Sequence, residues 1–66
     1  MNWNYVIIYD GLFYTTKSPN WGVQFTPNFS DANIYDSWSK AYDVMKKYLE
    51  SFPSARIVKT KELLAA

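Results

Sequence analysis

The sequence predicts an α+β domain: an N-terminal β-hairpin, a long aromatic loop, and one amphipathic helix packed on a small, mainly antiparallel sheet of three to four strands. Three observations carry that prediction. Asp10-Gly11 separates two runs rich in β-branched and aromatic residues, and Asp-Gly between such runs is the strongest short-range hairpin signal. Trp38, Ala41, Tyr42, Met45, Tyr48, Leu49 and Phe52 recur at spacings of three and four, which marks one face of an α-helix. After Pro53, the run Ala55-Arg56-Ile57-Val58-Lys59-Thr60 reads as a further strand.

Each element has a local cause. Tyr5-Val6-Ile7-Ile8-Tyr9 and Leu12-Phe13-Tyr14-Thr15-Thr16 are the two hairpin strands, because their residue types fit a pleated surface. A type I′ turn needs positive φ at both central residues, which Asp and Gly tolerate. Residues 17–30 are punctuated by Pro19, Asn20, Gly22, Pro27 and Asn28 and form a loop region. Within it, residues 23–26 either make a short edge strand, or Trp21, Val23 and Phe25 pin a compact loop onto the core. Ala32-Asn33-Ile34-Tyr35 is a second short extended candidate. Asp36 and Ser37 both offer a side-chain N-cap for the helix. That helix runs to Phe52 and is ended by Pro53, with Asp43 and Lys47 placed as an i,i+4 ion pair. Residues 61–66 are a frayed tail or a last short turn of helix.

With 66 residues and 7.7 kDa the chain is one domain, 1–66, with room for a single small core. A domain of this size buries only about 60% of the surface its unfolded chain exposes. Met1 at the start and Leu63-Leu64-Ala65-Ala66 at the end give the expectation of a complete small protein. The N-terminus has no basic segment followed by a long apolar one, so no signal peptide is expected, and the default location is the cytoplasm. The apolar run from Tyr5 to Tyr9 is far too short to span a bilayer.

The chemistry that composition removes is extensive. There is no cysteine, hence no disulfide framework and no thiolate metal site. There is no histidine, so the commonest general base and metal ligand is missing. Of the six acids, Asp10 is explained by the turn, Asp36 by the cap, and Asp43 and Glu50 by the polar side of the helix. Asp31 and Glu62 remain, too few to argue a carboxylate pair. The two glycines, Gly11 and Gly22, make no phosphate-binding loop. The expectation is therefore a non-enzyme with no catalytic residue, no metal and no cofactor.

Aromatic residues make up 20% of the chain, and they point to contacts. A two-residue turn sets Tyr9 opposite Leu12, Ile8 opposite Phe13, Ile7 opposite Tyr14 and Val6 opposite Thr15. Alternation then gives one face Tyr5, Ile7, Tyr9, Leu12 and Tyr14, and the other Val6, Ile8 and Phe13. Both are apolar, and one helix covers only one. The loop can fold back over the second face, or a second copy or another protein can cover it. The interaction hypothesis accordingly rests on Val6, Ile8 and Phe13, with the loop residues Trp21, Phe25 and Phe29. The alternative is single-stranded nucleic acid stacked on Tyr5 and Tyr14, with Arg56 and Lys59 at the phosphates. Against it stands a net charge of only +1, and in so aromatic a chain a tyrosine stripe is more often core or interface. No small-molecule substrate is implied.

A looser pattern runs through most of the chain. It comprises Tyr5-Val6-Ile7, Phe13-Tyr14, the lone Trp21, then Phe29-Ser30-Asp31-Ala32-Asn33-Ile34-Tyr35-Asp36-Ser37 with Ala41 four residues on, and finally Ile57-Val58-Lys59. It resembles a group of short uncharacterised phage and prophage proteins of Gram-positive bacteria. Its central Asp-Ala-x-Ile-Tyr-x-Ser stretch looks like a strand running into a helix cap and names no chemistry. The resemblance implies a small phage accessory protein in the bacterial host cytosol, binding a host protein such as a defence or regulatory factor, or binding itself. A structural part of a phage particle is the remaining reading.

Overall fold

A computed structural model describes residues 4–17 and 22–64. It contains strands β1 (Tyr5–Tyr9), β2 (Leu12–Thr15) and β3 (Gln24–Thr26) and a 3-10 turn at Phe29–Asp31. Helix α1 (Trp38–Tyr48), strand β4 (Arg56–Lys59) and the short helix α2 (Thr60–Leu64) follow. The four strands form one sheet in the order β3-β2-β1-β4, and every pairing is antiparallel. The fold is thus the expected α+β arrangement of one main helix on a four-stranded sheet.

The hairpin turn has the expected chemistry. Asp10 has φ 52° and Gly11 φ 76°, both positive, and Tyr9 pairs with Leu12 and Ile8 with Phe13. The ladder goes no further, which corrects the expectation that Ile7–Tyr14 and Val6–Thr15 continue it. Residues 33–35 enter the open end of the hairpin instead. The Tyr5 and Tyr35 backbones exchange hydrogen bonds at 2.8 and 2.9 Å, and the Asn33 N–H donates to the Tyr14 carbonyl at 3.1 Å. The Tyr5 backbone, which a longer hairpin would pair with Thr16, and the Tyr14 carbonyl, which it would turn toward Ile7, are satisfied by this inserted segment instead. β1 is therefore flanked at Tyr5 by Lys59 of β4 on one side and Tyr35 on the other.

The core lies between the sheet and α1. Ile7, Tyr14, Ala41, Leu49 and Ala55 are buried together, with Tyr5, Tyr9, Phe25, Tyr35, Val44, Met45, Phe52 and Ile57 packed around them. The completely buried Ala41, with no side chain beyond Cβ, lets α1 approach β1 closely. The register explains Phe25: it pairs with Tyr14 across β2 and β3, so both rings point to the helix side. Phe25 meets the rings of Tyr9 and Phe52 at 5.3 Å each, and Tyr9 meets Phe52 edge-on at 5.1 Å.

Local signals place the helix start. Ser37 is the N-cap, its Oγ accepting from the Lys40 N–H at 3.2 Å. Asp36 pairs instead with Lys40 at 2.8 Å. Two helix expectations are corrected. α1 ends at Tyr48, and Leu49, Phe52 and Ala55 are joined by successive turns with Phe52 N–H on Leu49 O and Ala55 N–H on Phe52 O. Among the described residues Asp43 and Lys47 form no ion pair. The Lys47 ammonium lies 5.5 Å from the centre of the Tyr48 ring instead.

Candidate interaction surface

The second sheet face is largely internal. Val6 is completely buried, so it is not a free anchor, and this corrects its place in the interaction hypothesis. Ile8 and Phe13 are half-buried. Phe29, in the 3-10 turn, packs its ring edge-on against Phe13 at 5.6 Å. The turn is tied down by Thr15, whose buried hydroxyl donates to the Asp31 carbonyl at 2.6 Å. Intramolecular cover by the loop is thus observed for Phe29, while Phe25 belongs to the core on the opposite side. Trp21 lies outside the described residues.

The four residues of the nucleic-acid alternative do not converge. Tyr14 is 5% exposed, too little for a base to stack on it. Tyr5 and Lys59 are cross-strand neighbours on the helix side, whereas Arg56 pairs with Ile8 and points to the other face. Tyr5 itself packs against the core.

Beside β3 a cleft of about 350 Å³ is lined by Thr15, Lys17, Gln24, Phe25, Thr26 and Asp31. Two of its polar side chains hold backbone: Thr15 bonds Asp31 O, and the Lys17 ammonium donates to Ser30 O at 3.4 Å. These groups stitch the 3-10 turn to the sheet. Among the described residues no group of three or more acidic side chains could hold a metal ion, and no helix is long and apolar enough to cross a membrane.

Val23, Phe29 and Ile34 are exposed at separate places before the helix, whereas α1 carries an exposed aromatic flank. Trp38 is 51% exposed and Tyr42 43%, and their rings stack at 4.9 Å and 13°. One turn of helix separates them, so they form an i,i+4 pair of stacked rings on the exposed side of the helix. Tyr48 at the far end of α1 is 53% exposed. The helical stripe read from the sequence assigned all three to the buried face. Instead, α1 is rolled so that Ala41, Val44 and Met45 face inward. Val44 is the inward residue that the spacing argument missed. Its position three residues after Ala41 was the available signal.

Two ionisable groups next to this flank are perturbed. The Lys40 ammonium, by its hydrogen bond and its charge, holds the Asp36 carboxyl below its usual range. Burial pushes the Tyr35 phenol up, opposed by a hydrogen bond from Asn33. Neither arrangement pairs an acid with a base across an open cleft. No family model matches the chain, and no curated protein or solved structure matches it.

Proposed function

We propose that this chain is a non-enzymatic protein–protein interaction module whose contact surface is the aromatic flank of α1. The observation that supports it is the stacked Trp38–Tyr42 pair, held half-exposed on a helix whose opposite side is fixed to the sheet. Trp and Tyr are the residue types that anchor interfaces, because a rigid ring buries much area at little entropic cost. Large apolar groups gathered in one exposed place mark contact sites more often than single exposed side chains do. The resemblance of residues 5–7, 29–37 and 57–59 to short phage and prophage proteins supports a role in the bacterial cytosol, as an accessory protein acting on a host factor or on itself.

The test places a photoreactive phenylalanine analogue at position 42 and irradiates bacterial cells that express the protein. The expected result is a protein adduct of defined mass that is lost on Trp38→Ala, with the circular dichroism of the variant unchanged. Irradiation that yields no protein adduct, or adducts indifferent to Trp38→Ala, overturns the reading.

A further inference from the structure

Residues four apart on a helix form a ridge, and Trp38, Tyr42 and Lys46 occupy one such ridge on the exposed flank of α1. Trp38 and Tyr42 stack on each other. Lys46, by contrast, has no ion-pair or ring partner among the described residues. Its neighbours of like charge are engaged, Lys40 with Asp36 and Lys47 over the Tyr48 ring. A ridge with an open indole at one end and an unpaired ammonium at the other is complementary to itself when reversed.

We infer that α1 docks against α1 of a second copy of this chain, about a two-fold axis at Tyr42, with Lys46 of each copy over the Trp38 indole of the other. This inference rests on the reading of the flank as a protein contact surface and names its occupant. Reversal brings position 38 to 46 and 42 to 42, so each copy supplies one cation and one indole. Indole is the strongest of the aromatic faces for a cation. Antiparallel helices also oppose their macrodipoles favourably. Interdigitated i,i+4 ridges cross at roughly 50°, the commonest helix-packing class. The two lysines sit at opposite ends of the contact. Trp38 to Lys46 spans about 12 Å of helix, further than the ~8 Å screening length of physiological salt, so the lysines' mutual repulsion is small. A contact this short belongs with weak, concentration-dependent associations.

The chain has no cysteine, so a single introduced thiol is unique. Light scattering of the purified protein across a concentration series is expected to show the mass rising from 7.7 kDa toward twice that value. Trp38→Ala and Lys46→Glu should each weaken association about tenfold, because each removes two symmetry-related contacts, while Lys46→Arg retains it. Under mild oxidation Tyr42→Cys should give a disulfide-linked dimer and Glu50→Cys should not. A monomer at every concentration into the millimolar range, association indifferent to Lys46→Glu, or equal cross-linking from positions 42 and 50 would each overturn the inference. A monomer in vitro that still yields adducts to other proteins in cells defeats self-docking alone, whereas no adduct in cells defeats the interaction reading as well.

Discussion

Asn33 and Thr16 are bonded to each other twice: the Thr16 N–H donates to Asn33 Oδ1 at 3.1 Å, and Asn33 Nδ2 donates to Thr16 Oγ1 at 2.8 Å. Seventeen residues separate them in the chain. Together with the Asn33 N–H on Tyr14 O, this side chain fastens the inserted segment into the open hairpin. It satisfies β2 where a β1 neighbour is absent. The same segment leads into Ser37 and the start of α1, so it sets where the exposed flank of that helix begins.

Asn33→Ala should therefore destabilise the domain by about 1–2 kcal/mol, through the loss of two exposed side-chain hydrogen bonds to Thr16 and a longer, part-buried one to the Tyr35 phenol. Asn33→Asp keeps the acceptor for Thr16 N–H but loses the donor, and should fall between. Urea unfolding followed by circular dichroism measures both. An unchanged midpoint in Asn33→Ala would show that the double bond to Thr16 contributes nothing.

Val6→Asp should unfold the domain. Val6 is completely buried, and a carboxylate there has neither water nor a counter-charge. Ile7→Ala, on the opposite face and equally buried, should cost about 2–5 kcal/mol through lost transfer energy and a cavity. That is a large part of the total for 66 residues. One-dimensional proton spectra distinguish the outcomes: collapsed methyl dispersion is expected for Val6→Asp. A folded Val6→Asp protein would return that face to the list of open surfaces.

The parts of this fold set by neighbouring residues were legible in the sequence. Asp10-Gly11 fixes the hairpin turn because both φ requirements fall on the two residues themselves. Ser37 caps α1 because its acceptor lies three residues from its donor. The helix stripe was legible as a period but not as a depth. Spacing puts Trp38, Tyr42 and Tyr48 in the same class as Ala41 and Leu49, yet the first three are exposed and the last two buried, because depth follows from how the helix is rolled against the sheet. The insertion of residues 33–35 left no period or turn signal, because it depends on the distant backbone of Tyr5 and Tyr14. Likewise the side of the sheet taken by Phe25 follows from its pairing with Tyr14, and the intervening loop does not specify that register. The exposed aromatic rings lie on the outer flank of α1 and not on the second sheet face for the same reason, since the depth of Val6 and Trp38 is set by contacts distant in the chain.

The turn offers a test of backbone strain without steric complication. A Cβ added at Gly11 meets no atom within 4 Å, yet φ there is +76°. Gly11→Ala should thus cost about 1–2 kcal/mol from the left-handed conformation alone. Asp10 already carries that conformation, at φ 52°. Asp10→Gly relieves the strain but loosens the unfolded chain, so a change within about 1 kcal/mol is expected. Thermal unfolding of the two variants side by side checks the asymmetry, and equal losses at both positions would contradict it.

Stability should decline at alkaline pH through Tyr14 and Tyr35. Burial raises the Tyr14 phenol above its ordinary value of 10.0, and the phenols of Tyr35 and Tyr48 raise it further. Burial raises Tyr35 as well, against the opposing Asn33 hydrogen bond. In the unfolded chain both lose their protons near pH 10 (about the ordinary value), whereas the folded protein holds them to higher pH. Across that interval the folded state binds more protons than the unfolded state, so the free energy of unfolding falls as pH rises. The contribution is fully present below the unfolded value and is lost as pH passes through the raised folded values. Melting temperatures recorded from neutral pH upward should drop once pH 10 is approached, and Tyr14→Phe should flatten that drop. In the ultraviolet phenolate titration Tyr14→Phe should remove amplitude from the high-pH end of the curve. Amplitude lost from the low-pH end would mean that the Tyr14 phenol is not held protonated by its buried place against the helix.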